Sequence, residues 1–278
     1  MSNTTDSKLP AIRWPGGKTI APGTTSSTGR WLHKHLPPPE RHKGYAEPFS
    51  GMLGTLLSRR RAEIEKVNDL DGHITNWWKV VRDRREELID MFLWSPSWDE
   101  TIFNEALADL DNPDPVRAAY NFTISREWSH MGMGLRPGRY FTPETKTGSY
   151  ITRKLPDRIT NLYERIKLVH IHNEDAVKFL RRLSKYDYTI YCDPPYADLS
   201  SDLYTHTEYD MGALTEALHA QTGFVAISEY GDVFDHLGWE RFEINTISGM
   251  AVTNPLDRVE VVWVNKPDEM RNRQGVLI

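Results

Sequence analysis

The segment 191–196, "YCDPPY", combines a carboxylate, two consecutive prolines and an aromatic ring. Each proline fixes φ and lacks an N–H group, so the carbonyl groups of this segment are held rigidly with few competing donors. A fixed carboxylate and a fixed carbonyl are two acceptors, which suit an amino group with two hydrogens to donate. The aromatic ring that follows could stack on a planar substrate. We therefore interpret Asp193, Pro194, Pro195 and Tyr196 as candidate catalytic residues that act on an amine.

Two earlier segments have the residue types of ligand-binding loops. In "EPFSGMLG", Phe49, Ser50 and Gly51 follow a predicted strand, and a glycine there lets backbone N–H groups approach a ligand closely. The same glycine could equally be structural. In "VNDLDG", Asp69 lies 22 residues after Glu47, a spacing at which a second strand places an acid on the hydroxyl groups of a bound ribose.

Helix capping is the alternative for the acidic loops. Asp69 or Asp71 could accept backbone N–H groups at the start of the helix that follows. In "HNEDAVKFL", Glu174 or Asp175 ends another predicted strand, and capping explains either residue as well as ligand contact does.

Alternating strands and helices must position these loops. Strand patterns at "GYAE" and before "NDLD" are each followed by a helical pattern, and the alternation returns after residue 160 with "LVHIH", "DYTIYC" and "GFVAIS". The helical pattern after "GYAE" continues through "MLGTLLSRRRAEIEK". This order predicts an α/β fold with a mostly parallel sheet. "WERFEINTI" and "RVEVVWVNK" predict a closing antiparallel pair, and residues 91–160 interrupt the alternation as an inserted helical and loop domain.

Composition limits the function classes. The chain of 278 residues carries 34 basic and 39 acidic side chains, a net charge of −5, so a nucleic-acid partner would require a local basic surface. Cys192 is the only cysteine, which excludes a disulfide framework and a cysteine-rich zinc module. The ten histidines form no ligand-spaced cluster, and we expect no metal. Because no leader pattern and no run of about 18 apolar residues occurs, we expect an unprocessed protein of the cytoplasm that does not enter a membrane.

The segments "WPGGK", "EPFSG", "NDLD" and "DPPY", in this order, resemble the Dam-like (D12 class) DNA N6-adenine methyltransferases. The resemblance implies a Rossmann-like methyltransferase sheet with S-adenosylmethionine as cofactor. Residues 1–90 and 161–278 would form the catalytic domain that binds it, and residues 91–160 a target-recognition domain. The cofactor contacts that it implies, together with Asp175 as a further candidate, are Trp14, Lys18, Phe49, Ser50, Gly51, Asp69, Asp175 and Asp193. Leu53 occupies a position where the family usually has glycine.

The resemblance also implies a mechanism. The amine of adenine is a poor nucleophile, and acceptance of its two N–H bonds by the Asp193 carboxylate and the Pro194 carbonyl would direct its lone pair toward the methyl donor. Tyr196 would stack on an adenine flipped out of double-stranded DNA. A methyltransferase acting on amino groups of RNA and a catalytically silent nucleic-acid-binding homologue are the alternatives. A bacterial cell or a phage-infected host is the implied setting.

A local basic surface occurs in the insertion. Between residues 126 and 158 there are seven Lys or Arg residues against three acids. We expect DNA contacts from basic residues of this stretch, although an ordinary solvated loop would have the same composition. The candidates are Arg126, Arg136, Arg139, Lys146, Arg153 and Lys154.

Overall fold

The protein folds around a seven-stranded mixed sheet. The computed structural model describes residues 11–14, 18, 27–94, 99–129, 132, 134, 154–196, 209–247 and 257–270. The strands stand in the order β3-β2-β1-β4-β5-β7-β6. Neighbours from β3 to β5 pair in parallel, and β7 pairs antiparallel with both β5 and β6. The strands are β1 (Gly44–Glu47), β2 (Ile64–Asn68), β3 (His170–His172), β4 (Tyr188–Cys192), β5 (Phe224–Tyr230), β6 (Glu240–Ile247) and β7 (Asp257–Val264).

Helices connect the parallel strands and cover the sheet. They are α1 (Ser27–His33), α2 (Gly54–Leu57), α3 (Gly72–Asp83), α4 (Arg85–Leu93), α5 (Glu100–Ala108), α6 (Pro115–Glu127), α7 (Leu155–Ile166), α8 (Ala176–Leu183) and α9 (Met211–His219). Sequence-encoded caps begin several of them, as at α6, where Asp114 accepts from Val116 N–H and Pro115 takes the first helical position. No helix in the part of the chain that the structure describes is long and apolar enough to cross a membrane.

The predicted fold class is confirmed, and one helix is shorter than predicted. The helical pattern of "MLGTLLSRRRAEIEK" ends after Leu57 in the structure, and its last residues belong to β2. Residues Ile64–Asn68 alternate between partly and fully buried positions before Asn68, so pairing with β1 and β3 determines their conformation rather than helix propensity.

Two hydrophobic layers enclose the sheet. One contains Trp77 and Trp78 of α3 together with Phe122 of α6, and the other contains Phe179 of α8 and Trp263 of β7. The described part of the insertion therefore packs into the same core as the sheet: α6 contacts α3, α4 and α5. This shared core fixes the position of α6 relative to the strands whose ends carry the candidate site.

Candidate active site

The carboxyl ends of β1 and β4 lie side by side because the two strands are parallel neighbours. From this pair the chain order proceeds in opposite directions, to β2 and β3 on one side and to β5 on the other. Ligands of open α/β sheets bind where the strand order reverses in this way. The loop after β1 and the segment 193–196 after β4 both leave the sheet at this point.

Asp193 is held by hydrogen bonds from two sides. The register pairs Cys192 of β4 with Ile227 of β5, so the next residues, Asp193 and Ser228, are adjacent. Ser228 Oγ donates to Asp193 Oδ1 at 3.0 Å. Lys18 Nζ lies 3.1 Å from Oδ1 and 3.3 Å from Oδ2 of the same carboxylate. With 23% of its side chain exposed, Asp193 is oriented and still reachable from solvent.

Lys18 joins the N-terminal segment to two carboxylates. Its ammonium group donates to the Asp193 carboxylate and to the Tyr196 hydroxyl at 2.8 Å, and it lies 3.3 Å from Glu260 Oε1. The Lys18 side chain is only 8% exposed. A buried ammonium group needs such partners to offset the loss of hydration. The structure thus brings the "WPGGK" lysine directly to the "DPPY" segment.

The Tyr196 side chain follows β4, as predicted, but it is buried rather than open for stacking. The residue is 5% exposed, its hydroxyl donates to Glu260 Oε1 at 2.5 Å, and its ring packs edge-on against Tyr230 at 4.7 Å between centroids. A base needs an open aromatic face to stack on. The expectation of stacking therefore does not fit this arrangement, because the hydroxyl network holds the ring in the interior.

Gly51, in the loop after β1, lies against two other predicted cofactor residues, Trp14 and Asp69. Gly51 has φ +45°, a left-handed conformation that glycine adopts without strain. Its N–H donates to Asp69 Oδ2 at 2.8 Å, and its carbonyl accepts from Trp78 Nε1 at 3.0 Å. A Cβ atom on residue 51 would lie 3.2 Å from Trp14 Nε1. Gly51 is therefore adjacent to both Trp14 and Asp69.

Asp69 does not cap the helix that follows it. Asp71 is the N-cap of α3 and accepts from His73 N–H, whereas Asp69 accepts from the N–H groups of Gly51 and Asp71. Burial raises the pKa of Asp69 to about 6, although these two hydrogen bonds oppose the increase. Each carboxylate oxygen has a second lone pair, so both can still accept a hydroxyl group.

Glu47 is a second buried acid at the end of β1. Only 3% of the residue is exposed, and its Oε1 accepts from the Tyr45 hydroxyl at 2.7 Å. Burial raises the pKa of Glu47 to about 8, and the nearby charge of Asp193 adds to the increase. Glu47 is thus mainly protonated at neutral pH.

Comparison with protein families gives one match that covers most of the chain. The model of the D12 class N6 adenine-specific DNA methyltransferases matches residues 14–237. The chain belongs to this family. The family that the sequence motifs indicated is thereby confirmed.

Other comparisons add less. No curated protein matches the chain. Among solved structures, a similar one is the crystal structure of SMU.472, described as a candidate methyltransferase and complexed with SAH. The identity is 9%, the TM-score is 0.23, and the match covers 69% of this chain and 55% of that chain. This chain thus spans only about half the length of that protein.

Asp175, Ser50 and Phe49, the other predicted cofactor residues, have structural contacts of their own. Asp175 is exposed and caps α8, where its Oδ1 accepts from Lys178 N–H at 2.9 Å. This is the capping alternative that the sequence left open. Ser50 is buried and donates its N–H to the Asn68 carbonyl at 2.9 Å. Phe49 packs near Tyr209, with ring centroids 6.1 Å apart.

Arg126 is not available for a DNA contact in this structure, which corrects its assignment. It is fully buried in α6, where its guanidinium lies 4.4 Å from the Trp14 ring centroid and donates to the Gly132 carbonyl at 2.9 Å. The basic composition of the surrounding stretch gave no indication that Arg126 is buried. Of the other candidates, Lys154 is exposed immediately before α7. The rest lie outside the described residues: Arg136, Arg139, Lys146 and Arg153.

Glu127, beside Arg126, ties the insertion to the N-terminal segment. The residue is 1% exposed. Its Oε1 accepts from Arg13 N–H at 3.2 Å and from Arg158 Nη2 at 3.0 Å, and Arg158 also donates to the Ala11 carbonyl. The segment that leads into Trp14 and the "WPGGK" loop is therefore fastened to α6.

Sequence reasoning missed Ser228 and Glu260. Ser228 ends the apolar run "GFVAIS" and gave no signal of its own. Glu260 did give one, because "VEVVWV" places a carboxylate in a run of β-branched and aromatic residues that predicts a buried strand. Lys, Glu, Arg and Asp are rarely fully buried without a partner, so an acid at this position indicates a buried interaction.

Proposed function

We propose that the protein transfers a methyl group from S-adenosylmethionine to N6 of an adenine that is flipped out of double-stranded DNA. The observation that carries the proposal is the position of Asp193. Its carboxylate stands at the reversal of strand order, beside the glycine loop, with Ser228 and Lys18 donating to it. A carboxylate oriented in this way is suited to accept a hydrogen bond from an amine.

The residues at the end of β1 and β2 suit the cofactor. Gly51 keeps the loop close to the Trp14 indole, a space that a larger residue would reduce. Asp69 offers carboxylate oxygens to ribose hydroxyl groups, which are donors. We assign Trp14, Lys18, Gly51 and Asp69 to the cofactor site, together with Phe49 and Ser50 of the same loop. When bound, the cofactor supplies an electrophilic methyl group on a sulfonium centre.

The chain's own contribution to the reaction is orientation and charge. Asp193 and the Pro194 carbonyl would each accept one N–H of the adenine amine, and this would direct the nitrogen lone pair toward the methyl group. Pro194 and Pro195 lack N–H donors that could compete for these acceptors. Tyr196 would act through its hydroxyl, which holds Lys18 and Glu260, rather than by stacking.

Target recognition is assigned to the insertion, residues 91–160. Once Arg126, Glu127 and Arg158 are recognised as internal, five basic residues remain between 127 and 158 against two acids. A surface of this kind suits a phosphate backbone. Flipping a base costs a few kcal/mol of stacking and pairing, which such contacts would offset. We propose residues 1–90 and 161–278 as the catalytic domain.

The test is a methylation assay with purified protein, labelled S-adenosylmethionine and duplex DNA, followed by nucleoside mass spectrometry for N6-methyladenine. Asp193→Ala is expected to lower the rate at least about a hundredfold, because it removes a preorganised acceptor from the reacting amine. Asp232→Ala is the matched control, since Asp232 is exposed in the loop after β5. Thermal unfolding of both variants checks that the fold is retained.

Structured RNA, assayed in parallel, tests the substrate. Methylation of RNA in preference to DNA would overturn the assignment of a DNA substrate. Equal rates for Asp193→Ala and the wild type would overturn the role of Asp193 while leaving the reaction itself established.

A further inference from the structure

Glu260 lies at the bottom of the candidate site, far along the chain from every other residue there. It belongs to β7, where it stands opposite Tyr230 of β5 and Ile244 of β6. Two sheet neighbours and a residue exposure of 2% place it in the interior. On the same strand face follow Val262 and Val264, both fully buried. An acid in such a row needs a specific compensating interaction.

Its partners are Lys18, which also donates to Asp193, and Tyr196, which accepts from Lys18. The Tyr196 hydroxyl donates to Glu260 Oε1 at 2.5 Å, and the Lys18 ammonium lies 3.3 Å from the same oxygen. The Lys18 ammonium therefore stands between two carboxylates, Asp193 and Glu260, at similar distances from each. Nothing in the family match covers Glu260, since that match ends at residue 237.

We propose that Glu260 is a positioning residue that holds Lys18 and Tyr196 beside Asp193. Because the Lys18 charge is then shared between the two carboxylates, it neutralises Asp193 only in part. The inference rests on the proposed function. A carboxylate that accepts hydrogen bonds from an amine is a stronger acceptor when a neighbouring cation is shared with a second anion. Without the second anion, the ammonium acts more strongly on the Asp193 carboxylate, and the amine receives a weaker acceptor.

The test substitution is Glu260→Gln, which keeps the shape of the side chain and an oxygen acceptor for Tyr196 but removes the charge. We expect kcat for DNA methylation to fall about tenfold or more, the effect of losing a charged hydrogen-bond partner, with a smaller change in KM for S-adenosylmethionine. The control is Glu243→Gln on β6, which is exposed and stands opposite Val261 in the same sheet.

The pH dependence separates a charge effect from lost packing. The groups around Glu260 are Lys18 of the N-terminal segment, Tyr191 of β4, and Asp193 and Tyr196 after β4. Burial raises the pKa of Glu260, and Asp193 adds to the increase while Lys18 opposes it. Protonated Glu260 resembles glutamine, so the ratio of wild-type kcat to that of Glu260→Gln should fall toward one as the pH is lowered. A purely structural defect would keep the ratio constant.

A second readout is independent of activity. Acylation of Lys18 by a small amine-reactive reagent, followed by peptide mass spectrometry, is expected to be severalfold faster in Glu260→Gln than in the wild type or Glu243→Gln, because one of the two carboxylates that hold the ammonium is gone. If the wild type transferred no methyl group, the proposed function would fail and this labelling rate alone would decide the inference. Unchanged kcat in an active enzyme, a pH-independent ratio, or unchanged labelling in an inactive one would overturn it.

Discussion

Glu47→Gln is expected to be more stable than the wild type at neutral pH, by an amount that increases as the pH rises from 5 to 7. The pKa of Glu47 increases from an ordinary 4.5 to about 8 in the folded protein, mainly through burial. Between these values the folded state keeps a proton that the unfolded state has lost. The free energy of unfolding is therefore highest below the unfolded pKa and decreases as the pH rises toward the folded one. Glutamine carries no charge at any pH and is spared this loss.

The magnitude follows from the two pKa values. Between pH 5 and pH 7 the titration of Glu47 alone should lower the free energy of unfolding by about 2 to 3 kcal/mol, since each unit of difference corresponds to about 1.4 kcal/mol. A glutamine side chain at this position can still accept from the Tyr45 hydroxyl, as Glu47 does at 2.7 Å. At pH 5 the variant and the wild type should accordingly be similar in stability, and at pH 7 the variant should be clearly more stable.

Urea denaturation of both proteins at pH 5, 6, 7 and 8 gives the free energy of unfolding as a function of pH. The effect of Glu47 is the difference between the slopes of the two curves. Asp69 and the other titrating groups contribute to both curves and cancel in the comparison. Glu63→Gln is the control, because Glu63 is exposed just before β2, and the variant should follow the wild-type slope. Parallel curves for Glu47→Gln and the wild type would show that Glu47 is not held in its protonated form and would refute the reasoning.

Two further substitutions test the loop and the insertion. Leu53 has φ +55° and is fully buried. Leu53→Gly and Leu53→Ala both remove most of the buried side chain, but only glycine also relieves about 1 kcal/mol of backbone strain. The glycine variant should therefore unfold at a higher temperature than the alanine variant, the reverse of the order expected where φ is negative. Glu127→Gln should destabilise the protein by about 3 kcal/mol or more, because it removes the carboxylate that Arg158 and Arg13 share. It should also weaken cofactor binding in calorimetry with S-adenosylhomocysteine, and unchanged affinity would show that the N-terminal segment keeps its place without this contact.

Sequence reasoning predicted the features that depend on local patterns. The strand–helix alternation predicts the parallel sheet, and the position of Asp193 after a buried strand follows from the β-rich run "DYTIYC". The Leu53 position, where the family usually has glycine, adopts a left-handed conformation that glycine favours. The loop thus keeps the left-handed backbone conformation, although leucine is strained in it. Burial of the Leu53 side chain in the core offsets this strain.

Features that depend on long-range packing could not be predicted in this way. Arg126 has the residue type and the neighbourhood of a DNA contact, yet the Trp14 ring that covers it lies more than a hundred residues earlier in the chain. Glu127 and its partner Arg13 are likewise more than a hundred residues apart in the sequence. Composition counts charges along the sequence, but only the packing of α6 against the N-terminal segment decides which charges face inward. A basic stretch therefore indicates a DNA surface only after its internal ion pairs have been subtracted.

Asp193, the proposed catalytic carboxylate, illustrates the same principle at the candidate site. Asp193, Pro194, Pro195 and Tyr196 are contiguous, so the sequence motif alone indicates their chemistry. The groups that set the charge and orientation of Asp193 come from three other segments: Lys18 before the sheet begins, Ser228 on β5 and Glu260 on β7. The strand β7 pairs antiparallel with both β5 and β6, and this pairing places Glu260 near Lys18. The strand pair of β6 and β7 thereby reaches the candidate active site and also forms one edge of the sheet.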